Sequence, residues 1–188
     1  MTFKDFKKKD SVVVVFTGDG KGKTSAGIGM MARALGAGFK VAFVQFVKVW
    51  NVSEHEFIKE VGPVYKDFLT FYKGGLGFVD AGELSTNIPK SEHIKEAKKT
   101  FQYVYDICTS GDYNLVVCDE INNAVHDGLL EIGDLEQLIR EKHPNTNLCF
   151  TGRNFPSKLV DSVDIVTEMT KVKHHYDDKY IANVGIDF

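Results

Sequence analysis

The fold of this chain is decided by one stretch, Val12-Val-Val-Val-Phe-Thr-Gly-Asp-Gly-Lys-Gly-Lys-Thr24. Its first five residues, 12–16, are all apolar and four are β-branched, as expected for a strand buried on both faces of a parallel sheet. Glycines then follow at positions 18, 20 and 22, and residues 25–33 predict a helix. A buried strand, a glycine-rich loop, Lys-Thr and a helix in this order predict a phosphate-binding P-loop.

The residue types of the loop fit the chemistry of a nucleoside triphosphate. Main-chain N–H groups approach phosphate oxygens closely only where no side chain intervenes, which explains the glycines. The following helix adds unpaired N–H groups and the positive end of its dipole. We expect Lys23 to reach phosphate oxygens and the Thr24 hydroxyl to bind a divalent metal ion. An ordinary glycine-rich turn is the alternative, and the apolar strand in front of the loop disfavours it.

The loop is one residue shorter than the usual motif, which has four residues between its first glycine and Gly-Lys-Thr. Here three residues separate Gly18 from Gly22, and Thr17 occupies the place of the expected glycine. A shorter loop should hold the phosphate chain in a different register. Transfer of the γ-phosphoryl group therefore does not follow from the motif.

Composition describes a folded protein of moderate size. The chain has 188 residues, 43% of them apolar, and a net charge of −3. We expect a single domain over residues 1–188, with residues 1–10 as a flexible leader. Because there is no basic excess, we expect no nucleic acid partner. No segment has the apolar length that predicts a secretory signal or a membrane span.

The cysteines predict free thiols. Cys108, Cys118 and Cys149 are odd in number, far apart and in no Cys-x-x-Cys pair, and two of them lie in apolar runs. Buried free thiols are typical of a reducing compartment, so we expect the protein in the cytoplasm.

Apolar strands alternate with helical segments along the chain, without a hairpin signal before the tail. After the first strand, the predicted strands are 40–47, 64–72, 114–120, 147–151 and 164–169. This alternation predicts an α/β fold with a mostly parallel sheet and helices on both faces. Residues 73–89 include a segment with four glycines, and we expect a flexible loop there, near the substrate.

The strand at 114–120 ends in Asp119-Glu120, roughly a hundred residues after the P-loop, and resembles a Walker B element. Ligands of open α/β sheets bind at the carboxyl ends of the strands. Asp119 or Glu120, together with Thr24, is therefore a candidate ligand of Mg²⁺ or a similar ion. An acid-rich helix N-terminus is the alternative, and the P-loop favours metal binding.

Two further segments carry chemistry that the sequence leaves open. Arg153 follows the strand at 147–151 and is placed either to meet anionic oxygens or to form a structural ion pair. His174, His175 and Asp177 suggest a metal site, but adjacent residues on a strand point to opposite faces. Histidines that are exposed or contact phosphate are the favoured interpretation.

Several segments together resemble the ATP:corrinoid adenosyltransferases of the CobA type, almost from end to end. Residues 17–24 match the short P-loop of that family, and the tail, with Gly185-Ile-Asp-Phe188, is the most specific part. The other matching segments are 33–38, 44–48, 116–121 with 128–130, 151–153, 164–169, 172–174 and Asp177. The resemblance implies a P-loop NTPase-like, RecA-like three-layer sandwich.

The resemblance implies that the cobalt of a reduced corrinoid attacks the 5′ carbon of ATP and that the whole triphosphate leaves. ATP lies reversed in this family, with its γ-phosphate in the short loop. The implied partners are ATP as co-substrate, a reduced corrinoid, Mg²⁺ or Mn²⁺, a second copy in a homodimer and a reductase. The implied ATP-binding residues are Gly18, Asp19, Gly20, Lys21, Gly22, Lys23, Thr24, Ser25 and Arg33.

The resemblance also implies roles for individual side chains. Lys23, Thr24 and Glu120 are the implied catalytic residues, and Thr24 and Glu120, with Asp119 beside them, are the implied metal ligands. Phe78 matches an aromatic residue that helps to displace the lower axial ligand of the corrinoid.

Three positions depart from the family pattern. Asp80 stands where the family commonly has Trp, Val49 where it has Gly, and Lys179 where it has Gly. Asp80 lies where the corrinoid is expected, so it bears on how the lower ligand is displaced. Two other functions therefore stay open: a P-loop kinase of a small molecule, and a module that binds nucleotide or corrinoid with weak catalysis.

Overall fold

The computed structural model describes residues 6–79 and 87–187. Within them, six parallel strands form one sheet in the order β3-β2-β4-β5-β1-β6. The strands are β1 (Val13–Thr17), β2 (Val41–Gln45), β3 (Leu69–Lys73), β4 (Leu115–Asp119), β5 (Asn147–Thr151) and β6 (Ile165–Glu168). Every carboxyl end therefore lies at one edge of the sheet, which is where the P-loop follows β1.

Helices connect the strands. They are α1 (Lys23–Gly36), α2 (Ser53–Val61), α3 (Lys90–Ser110), α4 (Ile121–His126) and α5 (Ile132–Glu141), with 3₁₀ helices at Ser157–Ser162 and His175–Asp178. Parallel strands need such crossovers, because a tight turn cannot return the chain to the same end of a sheet.

The central strands β1, β2, β4 and β5 are largely buried on both faces, so their alternate residues belong to two apolar layers, whereas β3 is partly exposed and β6 is exposed. On one face Phe43 and Val117 pack against Met31 of α1 and Ile58 of α2. On the other face a larger cluster joins the sheet to α3, α4, α5 and the first 3₁₀ helix, and Phe150 is fully buried in it. The predicted α/β sandwich with helices on both faces is confirmed.

One local prediction is wrong, and one helix was not predicted. Residues 64–68 were expected in β3, but they form turns that continue from α2, in which Val64 N–H donates to the Val61 carbonyl and Leu69 N–H donates to the Tyr65 carbonyl. An apolar pattern of this length does not distinguish a strand from helical turns. The six-residue α4 was not predicted, because it is too short to show a helical period.

The expected glycine-rich loop, 73–89, lies partly outside the described residues, and Asp80 is among those outside. Lys73 ends β3, and the segment from Gly74 to Val79 continues alongside the chain that follows β2. There Gly74 N–H donates to the Gln45 carbonyl, and Gly77 N–H donates to the Val47 carbonyl, both over 2.9 Å. Of the expected leader, residues 6–10 are exposed, and Lys9 pairs with Asp164.

A matched pair of glycines tests how closely α1 packs on the sheet. A Cβ added to Gly27 would lie 3.2 Å from Val117 Cγ1 and 3.3 Å from Thr151 Cγ2, whereas one added to Gly29 would meet nothing. We expect Gly27→Leu to lower the free energy of unfolding by about 1–3 kcal/mol through overpacking. Gly29→Leu should be neutral, or stabilising by up to about 1 kcal/mol through helix propensity. Urea unfolding of both variants measures the difference, and equal midpoints would refute the close packing.

Candidate functional site

A cavity of about 680 Å³ opens beside the carboxyl ends of the strands. The P-loop and the start of α1 form one side of it, and the segment after β2 and the tail form the others. Its lining residues are Lys21, Gly22, Lys23, Thr24, Ser25, Ile28, Lys48, Trp50, Val52, Ser53, Glu54, Phe57, Phe78, Glu120, Ala182, Gly185, Ile186 and Asp187. The lining therefore combines lysines and carboxylates with apolar residues in one space.

The glycines of the loop also meet the end of β6. Gly20 N–H donates to the Met169 carbonyl over 2.7 Å, and Met169 N–H donates to the Thr17 carbonyl over 2.8 Å. A Cβ at Gly18 or Gly20 would lie within 2.6 Å of the Met169 carbonyl oxygen, and Gly18 has a φ of +97°. Sequence reasoning assigned these glycines to phosphate contact alone. The close approach of β6 is a second reason for them, and Gly20 N–H is already used there.

Lys23 is folded over the loop. Its Nζ donates to the Gly20 carbonyl over 2.6 Å. Burial and the nearby positive charge of Arg153 lower the pKa of Lys23 from its ordinary value. An anion bound in the cavity would raise this pKa again, because a nearby negative charge favours the ammonium form.

Asp119 is fully buried, and both of its carboxylate oxygens have partners. Thr151 Oγ1 donates to Oδ1 over 2.6 Å, and Gln45 Nε2 donates to Oδ2 over 3.0 Å. The Lys48 ammonium lies 3.4 Å from the same Oδ2. This carboxylate is held in a fixed orientation below the cavity and does not line it.

Glu120 lines the cavity itself. Its φ of +63° lies in the left-handed region, which residues with a Cβ seldom adopt and which costs of order 1–3 kcal/mol. The hydroxyl of Thr151 accepts its N–H over 3.0 Å. Burial and the neighbouring charge of Asp119 raise the pKa of Glu120 to about 7. A carboxylate held this way favours a cation beside it.

Lys48 joins the two sides of the site, and sequence reasoning gave it no role. Its Nζ lies 2.7 Å from Glu54 Oε1 and donates to Thr24 Oγ1 over 3.3 Å. Burial lowers the pKa of Lys48, but Asp119 and Glu54 outweigh that effect and the net shift is upward. The sequence did contain a clue to a role for Lys48, because this residue follows β2 and therefore lies at the same edge of the sheet as the P-loop.

The other expected ATP-binding residues divide into two groups. Lys21, Gly22, Thr24 and Ser25 line the cavity with Lys23. Asp19 does not line it: its carboxylate accepts the Lys171 N–H over 3.2 Å, and this bond with the tail lowers the pKa of Asp19. Gly18 and Gly20 face Met169 instead.

Arg33 is not brought to this cavity. It lies in the last turn of α1, ten residues and about 15 Å of helix beyond Lys23. There it lines a different, mainly apolar cavity with Val12, Phe39 and Asn147, near the other ends of the strands. Within one chain, Arg33 and the P-loop lysine do not face the same space.

Phe78, the expected corrinoid contact, lies in the cavity wall and has a neighbour that was not foreseen. The ring of Trp50 lies 5.1 Å from the ring of Phe78, centroid to centroid, at an interplanar angle of 55°. Both rings line the cavity that Lys23 and Glu120 line. Trp50 and Phe78 are 28 residues apart, so no local pattern predicted the pair.

The tail reaches the first residue of α2. Gly185 N–H donates to Ser53 Oγ over 3.0 Å, and Asp187 lines the cavity. His174 and His175 do not point to opposite faces of a strand, as was expected. They begin a 3₁₀ helix, and their rings lie 4.8 Å apart. They come together with Asp187, which was not expected, in place of Asp177.

That cluster has internal partners. His174 Nδ1 accepts the Tyr176 N–H over 3.1 Å, and His175 Nε2 lies 3.1 Å from Asp187 Oδ2. Asp187 Oδ1 accepts the Asn183 N–H over 2.6 Å. These contacts hold the tail in its turn. Asp177, which was expected in the cluster, pairs instead with Lys171, and the two atoms of that ion pair are 2.9 Å apart.

The parallel sheet and the glycine-rich loop after β1 define a P-loop α/β protein. A KaiC-like protein from the hyperthermophilic archaeon Pyrococcus horikoshii has a similar fold, with a TM-score of 0.52 at 16% identity. The similarity covers 85% of this chain and 73% of that one.

The chain belongs to the ATP:corrinoid adenosyltransferase family BtuR/CobO/CobP, whose sequence model matches residues 9–188. A corrinoid adenosyltransferase of Pseudomonas aeruginosa is 31% identical over 178 residues, which are 94% of this chain and 83% of that protein. Another, from a Sinorhizobium species, is 30% identical over 179 residues, which are 94% of this chain and 80% of that protein.

Among the described residues, no helix has both the length and the apolar content that crossing a bilayer requires.

Proposed function

We propose that this chain transfers the 5′-deoxyadenosyl group of ATP to the cobalt of a reduced corrinoid. In this step a cobalt–carbon bond forms, the bond between C5′ and its oxygen breaks, and triphosphate leaves with the electron pair. The observation that carries the proposal is the shortened P-loop, which shares one cavity with the aromatic wall of Phe78 and Trp50. Family membership supports the same reaction.

The demands of this chemistry match the residues of the site. Cobalt(I) is a strong nucleophile, so the protein need not supply a base. It must position two substrates and stabilise the charge that develops on the leaving triphosphate. Lys23 and Lys48 supply positive charge on one side of the cavity. We assign Gly22, Thr24 and Ser25 to the phosphate cradle with them, and Lys21 to its entrance.

The oxygen donors of the site fit a hard divalent cation. The Thr24 hydroxyl and the Glu120 carboxylate both line the cavity, and Mg²⁺ or Mn²⁺ prefers such ligands. We propose these two as direct ligands. Because both oxygens of Asp119 are already engaged, we propose that Asp119 orients the site from behind. The bound ion would neutralise part of the triphosphate charge.

We also propose a homodimer in the cytoplasm that receives its reduced corrinoid from a reductase. The three cysteines are free and buried, which supports a reducing compartment. The family resemblance assigns Arg33 to phosphate. We propose that Arg33 contacts ATP only in an assembly of more than one chain that brings it to the loop.

Product analysis tests the reaction. With ATP, Mg²⁺ and a chemically reduced corrinoid, we expect formation of a cobalt–carbon bond, followed by its visible spectrum, and one triphosphate released per bond. A kinase would release ADP, and a binding module would bind corrinoid without releasing either product. Reactions without reductant and without corrinoid are the controls. ADP as the main product would reject the adenosyl transfer.

A further inference from the structure

Trp50 is the only tryptophan of the chain, and it is only half-buried. It lies after β2, in the wall of the cavity, and its ring packs on Phe78. Aromatic side chains bury a large apolar area, and an aromatic pair in the wall of a cavity that polar groups also line is typical of a ligand-binding site. The position of Trp50 therefore favours an apolar, planar ligand.

The backbone holds the two rings together as one unit. The segment that carries Trp50 and the segment that carries Phe78 run side by side, since Gly77 N–H donates to the Val47 carbonyl over 2.9 Å. Lys73 Nζ donates to the Trp50 carbonyl over 3.3 Å, which ties the same segment to the end of β3. The pair is thus prepared before any ligand binds, and little ordering remains to be done on binding.

The cavity lining combines two kinds of chemistry. Lys21, Lys23 and Lys48 supply positive charge, whereas Trp50, Phe78 and Phe57 supply aromatic surface. The positive charge suits a triphosphate, and the aromatic surface suits a broad apolar ring system. Asp80, the residue that departs from the family pattern, offers no aromatic surface of its own.

We propose that Trp50 is a positioning residue that packs, together with Phe78, against the corrinoid macrocycle and provides aromatic surface that Asp80 does not. This inference rests on the proposed function. Adenine is the other planar group in the reaction, and we assign Trp50 to the corrinoid because its ring partner is Phe78. The ATP measurements below distinguish the two ligands.

The test compares Trp50→Ala, Trp50→Leu and Trp50→Phe with the control Phe68→Ala, whose ring is exposed outside the cavity. Corrinoid and ATP affinities are measured separately, by absorbance titration of the corrinoid and by calorimetry. We expect Trp50→Ala and Trp50→Leu to weaken corrinoid binding about tenfold, because a stacking contact is lost. ATP affinity should change less than about twofold, and Trp50→Phe should restore corrinoid binding to within about threefold.

The single tryptophan gives a second readout in the wild-type chain. Corrinoid should quench its fluorescence in a saturable way, after correction with free tryptophan amide, and ATP alone should change it little. A loss of ATP affinity in Trp50→Leu with unchanged corrinoid affinity would assign the ring to adenine and overturn the inference. Unchanged affinities for both ligands would also overturn it. If Trp50→Ala does not fold, the Leu and Phe variants decide.

These binding measurements need no turnover. A wild-type chain that binds corrinoid through Trp50 but releases no triphosphate would retain the inference and reject the proposed reaction. If the wild-type chain forms the cobalt–carbon bond, but Trp50→Leu binds corrinoid and ATP as tightly as wild type does, the proposed reaction is retained and the inference is rejected.

Discussion

Lys23→Ala should lower the rate of adenosyl transfer by about a hundredfold or more, with a folded protein. Lys23 is the P-loop lysine, and its ammonium stands over the loop with only the Gly20 carbonyl as a hydrogen-bond partner among the described residues. Triphosphate leaves with its full charge, so this positive charge acts most strongly as the bond breaks. Removal of one such preorganised group in other enzymes typically costs about 10²–10³ in rate.

The measurement is the initial rate of cobalt–carbon bond formation at saturating ATP and corrinoid. Lys66→Ala, an exposed lysine outside the cavity, is the matched control and should keep the wild-type rate. Lys23→Arg should restore little, because the planar guanidinium does not replace a compact ammonium in a tight loop. If Lys23→Ala turned over at the wild-type rate, the phosphate site would lie elsewhere.

The fold was largely predictable because its signals are local. The apolar runs that became β1, β2, β4, β5 and β6 are long enough to be recognised, and β5 has the predicted bounds. The prediction was wrong where the local sequence pattern fits both a strand and helical turns. The apolar residues among 64–68 suggested a strand, but the pairing with β2 begins only at Leu69 and ends at Lys73.

The site was predictable as far as motifs extend. Lys23, Thr24 and Glu120 were expected together and do line one cavity. The contacts of Met169 with the loop, of Lys48 with Thr24 and of Trp50 with Phe78 join residues 24 or more positions apart. Only the packing of the strands brings these residues to one edge. Spacing in the sequence could not predict them, although each follows a strand.

The Lys48 ammonium pairs with two carboxylates at this edge of the sheet. It lies 2.7 Å from Glu54 and 3.4 Å from the fully buried Asp119, and its own side chain is 13% exposed. Gln45 donates to the same two carboxylates and accepts a hydrogen bond from His55 over 2.5 Å. Without Lys48, the Asp119 and Glu54 carboxylates would keep the Gln45 amide as a partner but would lose their ion pair.

Lys48→Met should therefore lower the free energy of unfolding by roughly 3 kcal/mol, the scale measured when one partner of a buried ion pair is removed. It should also reduce adenosyl transfer, because Thr24 loses a donor at the phosphate side. The carboxylates hold the Lys48 pKa above its ordinary 10.5. The contribution of Lys48 is thus fully present below about pH 10.5 and is lost as pH rises through the higher folded-state pKa.

Urea unfolding of Lys48→Met, Glu54→Gln and the double variant at pH 7 separates this effect from simple loss of packing. Because Glu54 becomes neutral, the second substitution should recover part of the loss, with a coupling free energy of about 1–3 kcal/mol. Additive losses would mean that the 2.7 Å contact contributes nothing beyond its two side chains. A Lys48→Met chain within about 0.5 kcal/mol of wild type would show that Gln45 and Thr151 alone satisfy Asp119.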